Sequence, residues 1–129
     1  NVTTGSDGTI MGGSGGHSDT AAGAKLTIIV TQLTKARLPI IKDNVTTITT
    51  PGESIDVIVT ERGIAVNPRR TDIIDKLKNT NLPIRTIGEL KDIAEKMTGK
   101  PKAIEFSDEI VAVIEYRDGS VIDVVRKPL

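Results

Sequence analysis

Ile55-Asp56-Val57-Ile58-Val59-Thr60, set between Pro51-Gly52 and Gly63, is a β-branched run broken by one carboxylate. A run of this kind, bounded by turn formers, reads as a strand. Two more precede it: Ala24-Lys25-Leu26-Thr27-Ile28-Ile29-Val30 reads as a buried strand and Val45 to Thr49 as another. Beyond Gly63 and Pro68 the period lengthens. Thr71 can cap a helical turn through Ile73, Ile74 and Leu77 that ends before Pro83. Thr86 and Glu89 form a capping box, Ile87, Leu90, Ile93, Ala94 and Met97 share one helical face, and Gly99 with Pro101 stops that helix. In the tail, 110–114 and 121–125 are apolar runs flanking Asp118-Gly119, a dipeptide favoured by tight primed hairpin turns. Strands, then two helices, then a hairpin argue an α/β layer with a mixed sheet, organised as one domain over residues 1–129. Two helices are too few to cover both faces of a doubly wound sheet. The chain is therefore expected to be a piece of a longer protein, with elements missing upstream.

The bulk numbers remove several classes of function. Seventeen basic and 17 acidic residues cancel, so no net field draws the chain to nucleic acid or to an anionic membrane. With no cysteine there is neither a disulfide framework nor a thiolate nucleophile, and a single His leaves a transition-metal site short of ligands. No apolar run reaches the ~20 residues of a membrane span, and the polar start has no signal-peptide pattern, so the expected location is cytoplasmic. Asn1-Val2-Thr3 and Asn44-Val45-Thr46 match the glycosylation acceptor pattern, which is read as chance in that compartment. Eighteen Ile and 11 Val against one Phe, one Tyr and no Trp suit strands covered by helices and argue against stacking on bases or sugars.

The chemistry concentrates near the start. Thr9-Ile10-Met11 reads as a strand end feeding Gly12-Gly13-Ser14-Gly15-Gly16. Four glycines around Ser14 allow positive φ and leave amide N–H groups uncovered, a construction suited to a phosphate or a developing oxyanion. A plain flexible turn would look the same. The spacing fits neither the dinucleotide fingerprint nor a P-loop. His17 and Asp19 follow directly; a His beside a carboxylate can act as a base or steer a substrate, or simply sit in a polar turn. Asn67-Pro68-Arg69-Arg70 places two guanidinium groups before a helix, where they could bind a carboxylate or phosphate or be a solvated helix start. Lys35 and Arg37 are weaker candidates. Glu61, where a strand ends, could face a cleft, although an ion pair with Arg62 or Arg70 is the plainer reading.

These segments together resemble the α chain family of bacterial citrate lyase, within the CoA-transferase superfamily. The resemblance is carried by Thr4-Gly5-Ser6-Asp7-Gly8, by Met11 through the loop to Gly16-His17-Ser18-Asp19-Thr20, by Thr50-Pro51-Gly52-Glu53 with 56–69 ending Gly63-Ile64-Ala65-Val66-Asn67-Pro68-Arg69, and by 116–125. It implies a CoA-transferase-like domain of which this chain is the C-terminal portion. It also implies an acyl transferase that exchanges acetyl for citrate on the thioester of an acyl carrier subunit, with a separate β subunit cleaving the citryl thioester. The site residues so implied are Gly13, Ser14 and Gly15 as backbone donors to the thioester oxygen, Gly12 to Gly16 with His17 and Asp19 around a CoA or CoA-like arm, and Asn67 and Arg69 for substrate. No metal is implied. The family passes acyl groups through a glutamate, which matches neither Glu53 nor Glu61 by motif and is expected outside this chain. Two other readings stay open: a fragment of an acetyl-CoA hydrolase or acetate CoA-transferase, and a non-catalytic module that docks other subunits.

Overall fold

The computed structural model describes residues 3–129, so Asn1 of the first acceptor-like triplet lies outside the described residues. The chain groups into two compact units. One comprises Lys25–Asp43 and Ile55–Pro101, the other Asn1–Ala24, Asn44–Ser54 and Lys102–Leu129.

The first of these is an α/β unit with a mixed sheet. Numbering the elements along the whole chain, β3 (Ile28–Val30) pairs in parallel with β6 (Val57–Thr60), and β6 pairs antiparallel with β7 (Gly63–Val66). The run that opens at Ile55 is thus the central strand. β7, which the sequence reading took only as punctuation at Gly63, forms because Thr60 and Gly63 face each other across a turn of Glu61 and Arg62. The expected buried strand 24–30 is corrected: the strand itself is Ile28–Val30, and it lies at the sheet edge with Ile28 and Val30 exposed. A small hairpin of β4 (Thr34–Lys35) and β5 (Leu38–Pro39) follows, turning through Ala36 and Arg37, both at positive φ. Helix α3 (Ile87–Thr98) realises the capping box in full, since the Thr86 hydroxyl accepts from the Glu89 amide and the Glu89 carboxylate accepts from the Thr86 amide. Its Leu90 and Ala94 close a core with Leu33, Ile41 and Ala65, and Ile93 packs against it. Leu33 and Leu90 are fully buried, each contributing about 1.5–3 kcal/mol of apolar transfer. Ile87 and Met97, expected on the same face, stay half exposed at the two ends of the helix.

Helix α2 (Thr71–Leu77) begins one residue differently from the sequence expectation. Thr71 is the first helical residue, and the cap position belongs to Arg70, with no side-chain cap. The reason is the turn before it: the Asn67 side-chain oxygen accepts from the Arg69 amide and the Arg70 amide donates to the Asn67 carbonyl, delivering Arg70 into the cap. Between α2 and α3 the chain runs back along β7. The Ile64 amide donates to Pro83, and the Arg85 amide donates to Ile64. Gly63 is buried at φ +151 because this segment lies against it; a Cβ there would stand 2.9 Å from both the Pro83 carbonyl oxygen and Arg85 Cδ.

The other unit holds the ribbon of β1 (Thr3–Thr4) and β2 (Ile10–Met11), helix α1 (His17–Gly23), a turn of 3-10 helix at Gly52–Ser54, and the hairpin of β8 (Phe106–Glu115) and β9 (Val121–Pro128). Gly8, at φ +88, is buried where a Cβ would meet Ile104, Phe106 and Pro128. The expected strand at 45–49 is not formed. Thr47, Thr49 and Thr50 are buried instead, and the Ile48 amide donates to Asp123 Oδ2 at 2.7 Å rather than to a ladder partner. The hairpin stands where expected, but its turn is not primed. Asp118 is not at positive φ; the Gly119 amide donates to the Tyr116 carbonyl, Gly119 alone sits at φ +84, and the Tyr116 amide closes onto Ser120. That is a type I turn with a following left-handed Gly. Among the described residues no helix is long and apolar enough to cross a membrane.

Candidate functional site

The glycine-rich turn runs from the end of β2 into α1. Gly12 and Gly15 take positive φ, +79 and +57, and among the described residues nothing lies within 4 Å of where a Cβ would be on either. Residues Gly12 to Gly16 are all exposed, Ser14 included. The turn therefore presents bare backbone to open space, the state in which amide N–H groups can be approached closely. It leads into a helix the sequence reading missed. Ala21 and Ala22 supply helix propensity, Asp19 stands in the first turn, and Thr20 clamps the start, its amide and hydroxyl both donating to the Gly16 carbonyl at 3.0 and 2.5 Å.

His17, the first residue of α1, is exposed but its ring is held: Nδ1 lies 2.8 Å from the hydroxyl oxygen of buried Thr50. With that nitrogen engaged, Nε2 is the one left for another role. The sequence reading did not single out Thr50, and no local signal could have done so, since it is 33 residues away. Asp19 points to Arg117 of the β8–β9 turn at 3.7 Å, an exposed and weak pair.

Asn67 and Arg69 belong to the other unit. Asn67 Nδ2 donates to the Ile55 carbonyl at 2.9 Å while its oxygen accepts from Arg69, so its side chain holds the end of β7 against the start of β6. Arg69 is exposed. Arg70, the second guanidinium of the motif, forms a two-bond fork with Asp72 at 2.9 and 2.8 Å and reaches Asp56 at 2.6 Å. The fork holds the Asp72 carboxyl at about 2 and pushes the Arg70 pKa up further still, Asp72 contributing more than Asp56. The Asp56 carboxyl is also lowered, first by the Thr27 amide at 2.7 Å and then, against the cost of burial, by Arg70. Glu61 pairs differently from the expected ion pair with Arg62 or Arg70. Both of its oxygens accept from the amide of Leu33, at 3.1 and 3.3 Å, which ties the β6–β7 turn to the core. Among the described residues no group of three or more His, Cys, Asp or Glu is placed to hold a metal ion.

Against known proteins, the family described as citrate lyase, alpha subunit (CitF) matches residues 1–128. The chain belongs to the citrate lyase alpha subunit family. It is 58% identical over 127 residues to the citrate lyase alpha chain of Klebsiella pneumoniae and 55% identical over 125 residues to that of Haemophilus influenzae, covering 98% and 97% of this chain. A crystal structure described as the alpha subunit of citrate lyase in complex with citrate, from Streptococcus mutans, superposes with a TM-score of 0.95 at 53% identity over 100% of this chain. In each case the match covers 25% of the longer protein, so the chain spans about a quarter of the length of these relatives.

Proposed function

We propose that this segment serves an alpha subunit that exchanges acetyl for citrate on the thioester of an acyl carrier subunit, in the cytoplasmic cleavage of citrate to oxaloacetate and acetate by a complex that also contains a β lyase subunit. The observation that carries the reading is the bare turn: Gly12 and Gly15 at positive φ beside open space, in a chain of this family. The relative crystallised with citrate supports citrate, rather than acetate alone, as the acceptor acid. The reading brings with it a CoA-transferase-like fold for the longer chain and a position in its C-terminal part, which a structure of the complete subunit tests directly.

A CoA-like arm is the group such a subunit must accommodate, and the residues present fit it. No side chain at Gly12, Gly13, Gly15 or Gly16 obstructs the backbone, and His17 is braced by Thr50 next to it. When bound, that arm supplies the thioester on which acyl exchange occurs. In this reading the amides of Gly13, Ser14 and Gly15 donate to the acyl carbonyl oxygen, which gains negative charge as the carbon is attacked. His17 and Asp19 flank the arm. Asn67 and Arg69 are the residues proposed for substrate, with the Asn67 side-chain oxygen accepting from the Arg69 amide. The acceptor carboxylate is assigned outside this chain, in keeping with Glu61 being engaged by Leu33.

The complete alpha subunit carrying Gly15→Val tests the proposal. A β-branched side chain is strained at φ +57 and covers the turn, so kcat with acetyl-CoA and citrate should fall roughly 100-fold, the usual cost of one lost oxyanion donor, while stability falls by no more than the about 1–3 kcal/mol of local backbone strain. Retention of most activity would reject the turn as the oxyanion site. A preference for acetate over citrate in the unaltered subunit would favour the acetate CoA-transferase reading instead.

A further inference from the structure

The run Thr46-Thr47-Ile48-Thr49-Thr50 forms no strand, yet Thr47, Thr49 and Thr50 are buried. A hydroxyl taken out of water without a partner is costly, and valine fills the same space without that cost. Threonine in such a place marks a hydroxyl that is used. One use of the Thr50 hydroxyl is the ring of His17, whose Nδ1 lies 2.8 Å from it. Both partners are held. Thr50 precedes Pro51, which biases its backbone away from helical conformations. Ser54 closes the next turn, its amide and hydroxyl donating to the Pro51 carbonyl at 3.0 and 2.7 Å. His17 opens α1, whose start is clamped by Thr20 on the Gly16 carbonyl.

The two nitrogens of an imidazole point away from each other, so anchoring Nδ1 on a buried group turns Nε2 outward. His17 is exposed and directly follows the glycine turn. A ring that works as a base is usually backed by a carboxylate, which stabilises the imidazolium that forms. No carboxylate does so here. Among the described residues the ring is bonded to Thr50, and Asp19 points instead to Arg117 at 3.7 Å. A neutral hydroxyl gives a cation no comparable support. By donating its proton to Nδ1 it fixes the tautomer with hydrogen on Nε2, an uncharged donor. Such a group polarises a carbonyl without taking up its proton.

We propose that Thr50 is a positioning residue, holding His17 neutral with its hydrogen on Nε2, and that this N–H donates to the acyl carbonyl oxygen beside the amides of Gly13, Ser14 and Gly15. The proposal rests on the acyl-transfer reading. It is tested on the complete alpha subunit, first without substrate. With histidine labelled by ¹⁵N, and the His17 signals identified by their loss in His17→Phe, a mildly alkaline sample should show Nε2 carrying the hydrogen and Nδ1 bare. Thr50→Val should leave a mixture of the two tautomers, and Thr50→Ser should restore the single one. Hydrogen on Nδ1, or a mixture, in the unaltered subunit overturns the proposal. The second readout is acetyl exchange between acetyl-CoA and citrate. His17→Phe should lower kcat roughly 100-fold and Thr50→Val roughly 10-fold, with KM for acetyl-CoA little changed and Thr50→Ser close to unaltered. In the double variant Thr50→Val should cost nothing beyond His17→Phe, because it acts only through the ring. Losses that multiply, or a Thr50→Val subunit that melts lower yet keeps full kcat, would reduce the bond to a clasp between two segments and overturn the proposal. Absence of exchange in the unaltered subunit removes the acyl-transfer reading and this proposal with it; exchange that is intact but indifferent to Thr50→Val removes this proposal alone.

Discussion

Replacing Gly63 by alanine tests how the β7 edge is covered. Two costs are expected at that position. A φ of +151 is a conformation that residues with a side chain rarely adopt, at about 1–3 kcal/mol. The new Cβ would also stand 2.9 Å from the Pro83 carbonyl oxygen, a backbone atom, and 2.9 Å from Arg85 Cδ, which is flexible; forcing the backbone aside adds about 1–3 kcal/mol. Gly99 provides the control, since at φ +79 it bears a strain of its own but has nothing within 4 Å of a Cβ. The entropy that a Gly→Ala change removes from the unfolded chain is common to both and cancels in the comparison. Urea unfolding of the two variants should therefore place Gly63→Ala below Gly99→Ala by about 1–3 kcal/mol, a large share of a stability of roughly 5–15 kcal/mol. Equal losses, or a greater loss at Gly99, would refute the claim that residues 83–85 press on β7.

The hydrogen bond from the Thr27 amide to Asp56, helped by Arg70, predicts a pH dependence. The folded Asp56 pKa is lowered, so its stabilisation is complete above the unfolded value of 3.8 and is lost as pH falls through the lower folded value; Asp56→Asn should flatten that acid limb of the urea midpoint and leave the slope near neutrality unchanged. Glu61→Ala leaves the amide of buried Leu33 without its acceptor and should cost about 1–3 kcal/mol, whereas Glu61→Gln, which keeps an oxygen in place, should cost clearly less by the same unfolding assay. The β4–β5 turn sets two residues with side chains, Ala36 and Arg37, at φ 49 and 64. Exchanging them for Asn-Gly, the pair a turn with two positive φ angles prefers, should raise stability by about 1–2 kcal/mol; an unchanged midpoint would show that the turn relaxes in solution.

The elements legible in the sequence are those whose signals act within a few residues. The capping box of Thr86 and Glu89 formed as read, because both partners lie on the same turn of α3 and no distant residue has to arrive first. The β6 strand and the final hairpin were legible for a similar reason, as were the bare glycines at Gly12 and Gly15, whose conformational freedom needs no partner. The helix at His17 was hidden by its glycine-rich surroundings. What tertiary structure decided is every feature whose partner is remote. Thr50 beneath His17, the Leu33 amide under Glu61 and Asp123 at Ile48 lie 33, 28 and 75 residues from their partners. The last of these draws the 45–49 run away from a ladder that its composition favours. Whether β3 is buried was not legible for the same physical reason. A run of Ile and Val specifies a strand locally, but whether its edge and faces meet protein or water depends on which other strands the long-range fold brings beside it.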